Sequence, residues 1–495
     1  MKSSNFSSVD NTPKKHATRA IGFHILWGLV IAFSARVAAG QNDFVAISWL
    51  FGICFILPII MPISFSITGL ISIAVFLDQS LWFLHDTVIV DTIYEHPALI
   101  IKPPEVLIMA ITIKNLAQKN ISWRRNLYLE IMSFFWLTSL AISTATSLLH
   151  QIPIRNMLIY SEIRGPITFI ISAWILYSHL KKSKTFYISI FAILVFIQLL
   201  ISFISWSTGV SLLWVSYAPN YVGNWNAFFG ADESVKIALV ALTISLPIIL
   251  SGAQVQFKNF GILKGQYFWN FLGIISLIAI ISSGKRGGIL HLGTILFVAL
   301  TLLELRAKIT LIKIIAIASV FGSIVLSLGI GSQSFQSTIS RIKGEGRVEQ
   351  SDSGRLSDFI NASEHIQANI LFGSGPGTKL DLDRVTSRGG EDSLSIHSSI
   401  LHIWSRQGVF GVLSILLIYF LPILAVMRNL GKHAYFDRSH KISLVFLLGF
   451  MLGHFFWELF ILPFYTGYRV SFALSFMIAL IFITNEKRKA NGVRN

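Results

Sequence analysis

Long apolar runs separated by short polar segments make up most of the chain. Fourteen of these runs approach the length of about 20 helical residues that crosses a hydrocarbon layer of roughly 30 Å. The runs cover about 20–39, 46–61, 63–80, 103–118, 127–149, 165–180, 185–206, 235–252, 267–283, 288–305, 309–330, 408–427, 442–460 and 468–485. This pattern predicts an all-α, polytopic transmembrane helical bundle of about 14 spans. Continuous apolar runs exclude a transmembrane β-barrel, whose strands alternate over about ten residues.

The boundary between the second and third runs has two interpretations. The segment PIIMPIS, Pro58 to Ser64, carries two prolines. Such a segment is compatible with a tight turn between two spans or with a kink inside one long helix. Only the tight turn keeps the total at fourteen spans.

Basic residues in the short segments between spans indicate the orientation. With the N-terminus on the cytoplasmic side, alternate segments all carry clusters of Lys and Arg. The clusters are Lys14, Lys15 and Arg19; Lys114, Lys119, Arg124 and Arg125; Lys181, Lys182 and Lys184; Lys258 and Lys264; Arg306 and Lys308; Arg428, Lys432, Arg438 and Lys441; and Lys487, Arg488 and Lys489. This is the positive-inside pattern. It predicts that both termini are cytoplasmic, and it accounts for the net charge of +16 without a nucleic-acid partner.

The orientation divides the chain into five parts. They are a cytoplasmic tail, 1–19; eleven spans, 20–331; a large external loop, 332–407; three spans, 408–485; and a second cytoplasmic tail, 486–495. The composition agrees with a membrane protein, since 53% of the residues are hydrophobic and the mean hydropathy is +0.67. The single cysteine, Cys54, lies within a span, so no intramolecular disulfide forms and no metal cluster is indicated.

Some outward segments break the positive-inside pattern. The turn SGKRGG, Ser283 to Gly288, places Lys285 and Arg286 between glycines, and Arg155 and Arg164 also fall on outward turns. Short external loops normally lack positive charge. The turn SGKRGG in particular therefore indicates that something on the outer side requires cations.

The large external loop contains a predicted amphipathic helix. In GRLSDFINASEHIQANILFGSGPG, apolar residues recur at near-helical spacing between Asp352 and Gly373, which is typical of a helix lying at a membrane surface. Arg355 falls in its first turn, where a cation is unfavourable to the helix dipole. It is either retained for another purpose or is a solvated surface residue. The segment GSGPG does not join a strand to a helix, so it is interpreted as a tight turn rather than as a phosphate-binding loop.

A histidine and a group of aromatic residues are further candidates outside the membrane. His397 shares one helix face with Ile400, Leu401 and Trp404 where the external loop re-enters the membrane, and a structural role is commoner there than a catalytic one. The loop of about 207–234 carries aromatic and amide side chains, namely Trp214, Tyr217, Tyr221, Asn224, Trp225 and Asn226. These side chains suit a glycan-binding groove, but Trp and Tyr are also common at membrane interfaces, which is the favoured interpretation.

Three motifs occur in one order over about 280–425. They are the arginine turn SGKRGG, the arginine ahead of the amphipathic helix in GRLSDFINASEHIQANILFGSGPG, and the histidine followed by a glycine turn in IHSSILHIWSRQGVFGV. In this order they resemble the O-antigen ligase and O-antigen polymerase family. Upstream, PPEVLIMAITIKNL, the arginine of SEIRGP and YAPNYVGNWNAFF are similar in character to that family. One departure is Phe359, which stands where the family has a tryptophan and affects the expected local packing.

The resemblance implies a metal-independent membrane glycosyltransferase of GT-C-like fold, without a cofactor. The implied donor is a glycan on undecaprenyl diphosphate in the bacterial inner membrane, and the loop 332–407 is then periplasmic. Arg286 and Arg355, with Arg164 as a weaker third, are implied to bind the diphosphate, because a guanidinium group binds phosphate oxygens in a bidentate fork. His397 is implied to act as a base or to position the acceptor hydroxyl.

The resemblance also has implications for glycan contacts and for metal binding. It makes Tyr217, Tyr221 and Trp225 candidate glycan contacts. It implies no metal ion, because arginines take the place of the cation. Asp381 and Asp383 have the spacing of a metal-binding pair and would matter to a metal-dependent enzyme.

Three activities are compatible with these features. A polymerase passes the growing chain onto another lipid-linked repeat unit, whereas a ligase passes the finished chain onto lipid A core; the chain length and the fourteen spans favour the polymerase. A polysaccharide flippase, a transporter of similar size, would have short external loops, so the loop 332–407 counts against it. The expected partners are the lipid-linked oligosaccharide, membrane lipid and a chain-length regulator protein.

Overall fold

The computed structural model describes most of the apolar part of the chain. The described residues are 52, 54–76, 103–118, 126–159, 162–208, 231–252, 266–282, 286–327, 359–360, 362–378, 396, 398–431, 438–460 and 468–491. Every regular element within these ranges is a helix, so the all-α prediction is confirmed for this part of the chain. The N-terminal tail and the first predicted span, 20–39, lie outside the described residues.

The helices are numbered in chain order. They are α1 Ile63–Phe76, α2 Pro103–Ala117, α3 Leu127–Leu149, α4 Ile154–Ile159, α5 Arg164–Thr208, α6 Ala231–Ser251, α7 Gln266–Ser282, α8 Arg286–Leu302, α9 Leu305–Ser327, α10 Ser399–Leu430, α11 Arg438–Glu458 and α12 Tyr468–Asn491. Residues 54–60 and 362–368 are also helical. Apolar side chains fill the space between the helices, and Trp136, Trp269 and Trp457 are among the largest that are fully buried.

Helix length and hydropathy support a multi-pass membrane protein. Within the part of the chain that the structure describes, 4 helical segments are long and apolar enough to cross a membrane. They are Leu127–Leu149, Arg164–Ile201, Ser399–Leu430 and Arg438–Glu458. Shorter apolar helices are Ile63–Val75, Val235–Ser251, Gln266–Ile281, Arg286–Leu302 and Val470–Asn485. All of these overlap predicted spans, while the total of fourteen and the GT-C-like arrangement stay predictions.

Helix α5 folds back on itself at Ser183. The backbone there is not helical, with φ −144° and ψ 51°. On one side of the break, the Phe169 carbonyl accepts a hydrogen bond from Ser475 of α12; on the other, Phe191 stacks on Phe476 with ring centroids 5.0 Å apart. Neighbouring residues of α12 thus contact both halves of α5, which requires the halves to run in opposite directions. This agrees with separate spans at 165–180 and 185–206.

The segment between the second and third predicted spans is a turn. The helical residues 54–60 and α1 meet there. The Ser66 hydroxyl donates to the Pro58 carbonyl over 3.5 Å, although 8 positions along a straight helix would separate them by about 12 Å. Lys114 stabilises the turn, because its ammonium group donates to the carbonyls of Pro58 and Ile59 at 2.9 and 3.1 Å. The tight-turn interpretation of PIIMPIS is therefore favoured over a kink in one long helix.

Small residues on one face of α11 let α8 approach closely. A Cβ at Gly449 would lie 2.9 Å from Ile295 Cα, and one at Gly453 would lie 2.8 Å from the His291 carbonyl oxygen. Helices in membranes associate through small-residue contacts of this kind. The close packing fixes the start of α8 against the end of α11, which is where the candidate site lies.

Replacing Gly453 with alanine is expected to destabilise the protein by about 1–3 kcal/mol, because the added methyl group overlaps His291 and forces α8 away from α11. The change is measured as a lower thermal unfolding midpoint of the purified protein in detergent. Gly293→Ala is the matched control: it lies on α8, a Cβ there meets nothing within 4 Å, and alanine favours a helix by about 1 kcal/mol. Equal midpoints for the two variants would contradict this packing.

Candidate active site

A buried carboxylate joins three helix ends. Glu458, the last residue of α11, accepts from Lys236 near the start of α6, with Nζ 2.7 Å from Oε1. The Ser399 hydroxyl, at the start of α10, donates to the other oxygen of Glu458 over 2.5 Å. The side chains of Lys236 and Glu458 are 0% and 1% exposed. Charges buried within a membrane protein are costly unless paired, so this pair ties the three helix ends together.

Arg286 lies at the start of α8, beside this pair. A Cβ at Gly287 would lie only 2.0 Å from Trp457 Nε1, so α8 begins directly against the residue that precedes Glu458. Lys236 Nζ lies 4.9 Å from the centre of a Trp457 ring, a cation–π distance. The Arg286 side chain is exposed. Gly287, one of the small residues of SGKRGG, thus lets the start of α8 approach α11 closely.

A second buried carboxylate lies before α5. Glu162 Oε1 is 3.2 Å from His402 Nε2 and 2.9 Å from Arg406 Nε, and its Oε2 accepts from the Gly377 N–H. Burial by itself would raise the pKa of Glu162, but Arg406, His402 and the Gly377 N–H together lower this pKa below its ordinary value. Glu162 is therefore ionised at neutral pH and holds the first part of α10 through His402 and Arg406.

Arg164 belongs to an ion pair with a different carboxylate. Its Nη1 lies 2.6 Å from Glu105 Oε2 of α2, and the two side chains are 9% and 14% exposed. Arg164 follows Glu162 by two positions, so one short segment supplies both a carboxylate to α10 and a guanidinium to α2. In this structure the guanidinium is paired within the protein.

The GSGPG segment packs into a break in α10. Gly408 has φ 62° and ψ −158°, which interrupts the helix. The carbonyls of Ser405 and Arg406 there accept from the N–H groups of Ser374 and Gly375 at 2.8 and 3.0 Å. In return, the Val409 N–H donates to the Ile370 carbonyl at 3.0 Å, so the loop supplies the hydrogen bonds that the helix lacks.

Positive φ angles make the glycines of this loop necessary. Gly373, Gly375 and Gly377 have φ angles of +70°, +85° and +78°, which agrees with the tight-turn interpretation. A Cβ at Gly375 would lie 2.0 Å from the Ser147 hydroxyl of α3, and one at Gly377 would lie 2.8 Å from the Met157 nitrogen of α4. The loop is thus enclosed by α3, α4 and α10, and we refer to residues 373–377 as the glycine loop.

Comparison with known proteins identifies the part of the chain that carries this geometry. Residues 271–416 match the family model described as O-antigen ligase. On the basis of this match, we refer to residues 271–416 as the O-antigen ligase domain. It includes α7 to α9, the external loop and the first half of α10, and therefore contains Arg286, Arg355 and His397. No curated protein matches the chain. The family resemblance drawn from the three sequence motifs is confirmed.

The sequence-predicted site residues fall into two groups. Arg286 and Arg164 are among the described residues, at the starts of α8 and α5. The remaining candidates lie outside the described residues: Arg355, His397, Tyr217, Tyr221 and Trp225. Ser399, two positions after His397, hydrogen-bonds to Glu458, so the O-antigen ligase domain places the Arg286 turn and the segment that follows His397 at one buried cluster.

The external loop of the O-antigen ligase domain is partly described. Residues 362–368 are helical, within the predicted amphipathic helix. Ile366 is buried, whereas Phe359 and Ile360 are 55% and 50% exposed, so the helix has apolar groups on its outer side as well. Exposed apolar groups on such a helix agree with a position at the membrane surface. Helix α10 begins at Ser399 rather than at 408, because a helical segment precedes the break at Gly408.

Sequence reasoning missed the residues that organise this region. They are Lys236 and Glu458, which form one buried pair, and Glu162, His402 and Arg406, which form the other cluster. A signal was present, because charged residues within or beside apolar spans are expensive and are normally paired. Their pairing is not readable from sequence, since the partners are separated by more than 200 positions, as in Lys236 and Glu458, where the separation is 222.

Within the described residues no group of three or more His, Cys, Asp or Glu side chains is arranged to hold a metal ion. Asp381 and Asp383 lie outside those residues.

Glu458→Gln is expected to destabilise the protein by about 3–5 kcal/mol, because it leaves the Lys236 ammonium buried without a counter-charge. The double variant Lys236→Met with Glu458→Gln removes both charges, so it is expected to unfold at a higher temperature than Glu458→Gln alone. Thermal unfolding in detergent is measured for wild type, Lys236→Met, Glu458→Gln and the double variant. Comparison of the four gives the coupling energy between Lys236 and Glu458. Additive effects of the two substitutions would show that the pair contributes no mutual stabilisation.

The lowered pKa of Glu162 predicts a pH dependence of stability. Its folded-state pKa lies below the ordinary value of 4.5, so its stabilisation is complete above pH 4.5 and is lost as the pH falls through the folded-state pKa. Wild type is therefore expected to lose stability more steeply below pH 4.5 than Glu162→Gln. The exposed Glu364 provides the control, and Glu364→Gln should keep the wild-type slope. Parallel curves for wild type and Glu162→Gln would contradict the assignment.

Proposed function

We propose that the protein is an O-antigen or surface-polysaccharide polymerase. It transfers a glycan from undecaprenyl diphosphate to an acceptor sugar hydroxyl on the periplasmic face of the inner membrane, with both chain termini in the cytoplasm. The observation that carries the proposal is the position of Arg286. This exposed guanidinium lies at the start of α8, inside the O-antigen ligase domain and beside the Glu458 cluster that also binds Ser399.

The proposed role of the arginines is to stabilise the leaving group. As the glycosidic bond breaks, its electron pair passes to a diphosphate oxygen, and the added negative charge requires compensation. Arg286 and Arg355 bind the diphosphate, because guanidinium groups stay protonated and offer paired donors to phosphate oxygens. Arg164 is a third candidate. Its pairing with Glu105 makes its contribution depend on an exchange of partners, so we rank it below the other two.

The proposed role of His397 is to accept a proton. The acceptor hydroxyl oxygen forms a bond to the anomeric carbon, and its proton passes to His397, because imidazole is the commonest general base among side chains. Two described contacts involve the residues directly after His397. Ser399 donates to Glu458, and Ser398 caps α10 by accepting from the Leu401 N–H, so the chain directly after His397 is anchored. Tyr217, Tyr221 and Trp225 are proposed to contact the glycan.

The buried Lys236 and Glu458 pair supports the site without touching substrate in this proposal. A neutralised pair can sit within the bundle while it positions the starts of α6, α8 and α10 on the external side. Rigid positioning of this kind matters because small displacements of reacting groups slow a reaction severely.

The main alternative is an O-antigen ligase that transfers the chain to lipid A core. The matching family model does not distinguish the two activities, whereas the chain length and the predicted fourteen spans favour the polymerase. The domain match supports a membrane glycosyltransferase rather than a flippase. Lipid-linked oligosaccharide substrates follow from the family, and a chain-length regulator stays a prediction.

Lipopolysaccharide gels of the host strain test these proposals. Deletion of a polymerase leaves core with a single repeat unit, whereas deletion of a ligase leaves bare core. Complementation with Arg286→Ala is expected to reduce long-chain product about a hundredfold, because one donor to the developing charge is removed, and Arg286→Lys should retain part of the activity. Arg355→Ala and His397→Ala are expected to behave like Arg286→Ala.

Arg306→Ala is the matched control for Arg286→Ala, because Arg306 is an exposed arginine near the other end of α8. It should give a normal ladder. Membrane levels of each variant are measured by immunoblot. A normal ladder from Arg286→Ala at wild-type membrane level would rule out the proposed diphosphate site.

A further inference from the structure

A cavity lies at the end of the helix bundle opposite the candidate active site. It has a volume of about 210 Å³ and is lined by residues of α5, α6, α11 and α12. Ser443 of α11 lines it, while Glu458 at the other end of α11 belongs to the active site cluster. At 1.5 Å per residue these two positions are about 22 Å apart along the helix, so the cavity and the site lie toward opposite ends of α11.

Polar side chains form the outer rim of the cavity. They are Lys184 directly after the break in α5, Ser443 near the start of α11, and Thr484 near the end of α12. Lys184 Nζ donates to Thr484 Oγ1 over 3.0 Å, which holds the ammonium group at the opening. Thr185 adds a further hydroxyl. A lysine ammonium group flanked by hydroxyls is suited to bind a phosphate oxygen.

Apolar side chains lie one helical turn deeper on each of these helices. Ile188 is four positions beyond Lys184, Leu447 is four positions beyond Ser443, and Leu480 is four positions before Thr484 on a helix that runs toward the rim. Four residues correspond to about 6 Å along a helix. Three helices therefore repeat the same arrangement, with a polar group at the opening and an aliphatic group beneath it.

Helix α6 closes the remaining side. Pro247 lies inside this helix and lines the cavity together with Thr243. Proline has no N–H, so it leaves the carbonyl of residue 243 without its usual helical donor. The wall is otherwise aliphatic, with Ile244 and Ile248 facing the cavity. The cavity thus combines one cation, several hydroxyls and a mostly aliphatic interior.

We propose that this cavity binds a membrane phospholipid, with the lipid phosphate at Lys184 and Thr484 and the start of an acyl chain against Ile188, Leu447 and Leu480. A soluble anion would use the rim and leave the aliphatic floor unoccupied, whereas an apolar molecule would leave the ammonium unused. A volume of about 210 Å³ is below the about 300–1,000 Å³ of pockets that enclose a whole ligand, which fits a lipid whose chains continue into the bilayer. By contacting all four helices, the bound lipid would stabilise the packing of α5 against α6, α11 and α12.

The test measures lipid binding by the purified full-length protein in detergent. Native mass spectrometry counts bound dioleoylphosphatidylglycerol, and thermal unfolding measures stabilisation by it. Parallel samples receive dioleoylglycerol, which has the same acyl chains and no phosphate, or glycerol phosphate, which has the phosphate and no chains. Saturable binding and a higher unfolding midpoint are expected with the phospholipid, because a ligand that binds only the folded state stabilises it.

Lys184→Ala is expected to weaken phospholipid binding about fivefold, the effect of losing about 1 kcal/mol for one lysine near a lipid phosphate. Lys182→Ala is the matched control, since Lys182 is an exposed lysine two positions away that does not line the cavity. Thr484→Val removes a rim hydroxyl at almost constant volume and serves as the second variant if Lys184→Ala does not fold. It should also weaken binding while Lys182→Ala leaves it unchanged.

Three outcomes would overturn the proposal. Equal phospholipid binding by wild type, Lys184→Ala and Thr484→Val would show that the cavity is not the site. Equal stabilisation by glycerol phosphate would identify a site for a free phosphate anion. Equal binding of dioleoylglycerol would show that the acyl chains associate without using the charged rim.

Discussion

The carboxylate of Glu458 is the constraint on which the end of the bundle that carries the candidate site depends. It neutralises Lys236 in a setting where either charge alone would be prohibitive, and it accepts a hydrogen bond from Ser399. One side chain thereby fixes the ends of α6, α10 and α11, and Trp457 beside it sets the position of α8. Arg286 lies where these constraints meet. The second cluster, around Glu162, performs a similar function one helical turn further along α10.

Glu458 and Glu162 each connect the O-antigen ligase domain to a different part of the bundle. Glu458 connects that domain to helices outside the matched range, namely α6 and α11. Glu162 connects the domain to the short segment before α5, through His402 and Arg406. The proposed chemistry needs cations and a base to be held stationary at one end of a bundle whose core is mostly nonpolar. Buried ion pairs supply that fixed geometry, because breaking one would leave a charge in an apolar interior.

The helices were predictable from sequence because they depend on local composition. Apolar runs identified α7, α8, α9, α11 and α12 to within a few residues, and the basic cluster around Lys184 marked the turn that the Ser183 break produces. The motif order likewise identified the domain that the family model matches. The start of α10 was less predictable. A helix face over residues 397–404 was visible in the sequence, but the predicted span began only at 408. The polar residues before Gly408 are accommodated because the glycine loop and Glu162 supply their hydrogen-bond partners.

Hydrogen bonds between the glycine loop and α10 determine how the external loop is connected to the membrane part. Since Ser374 and Gly375 complete the hydrogen bonds of Ser405 and Arg406, the loop is built into α10 and is not a detachable cover. Exchanging the loop for one from another protein, while keeping α10, would strand two carbonyl groups inside the bundle. A chimaera that preserves these hydrogen bonds would therefore carry the glycine loop and the start of α10 together, with its junction beyond Gly408.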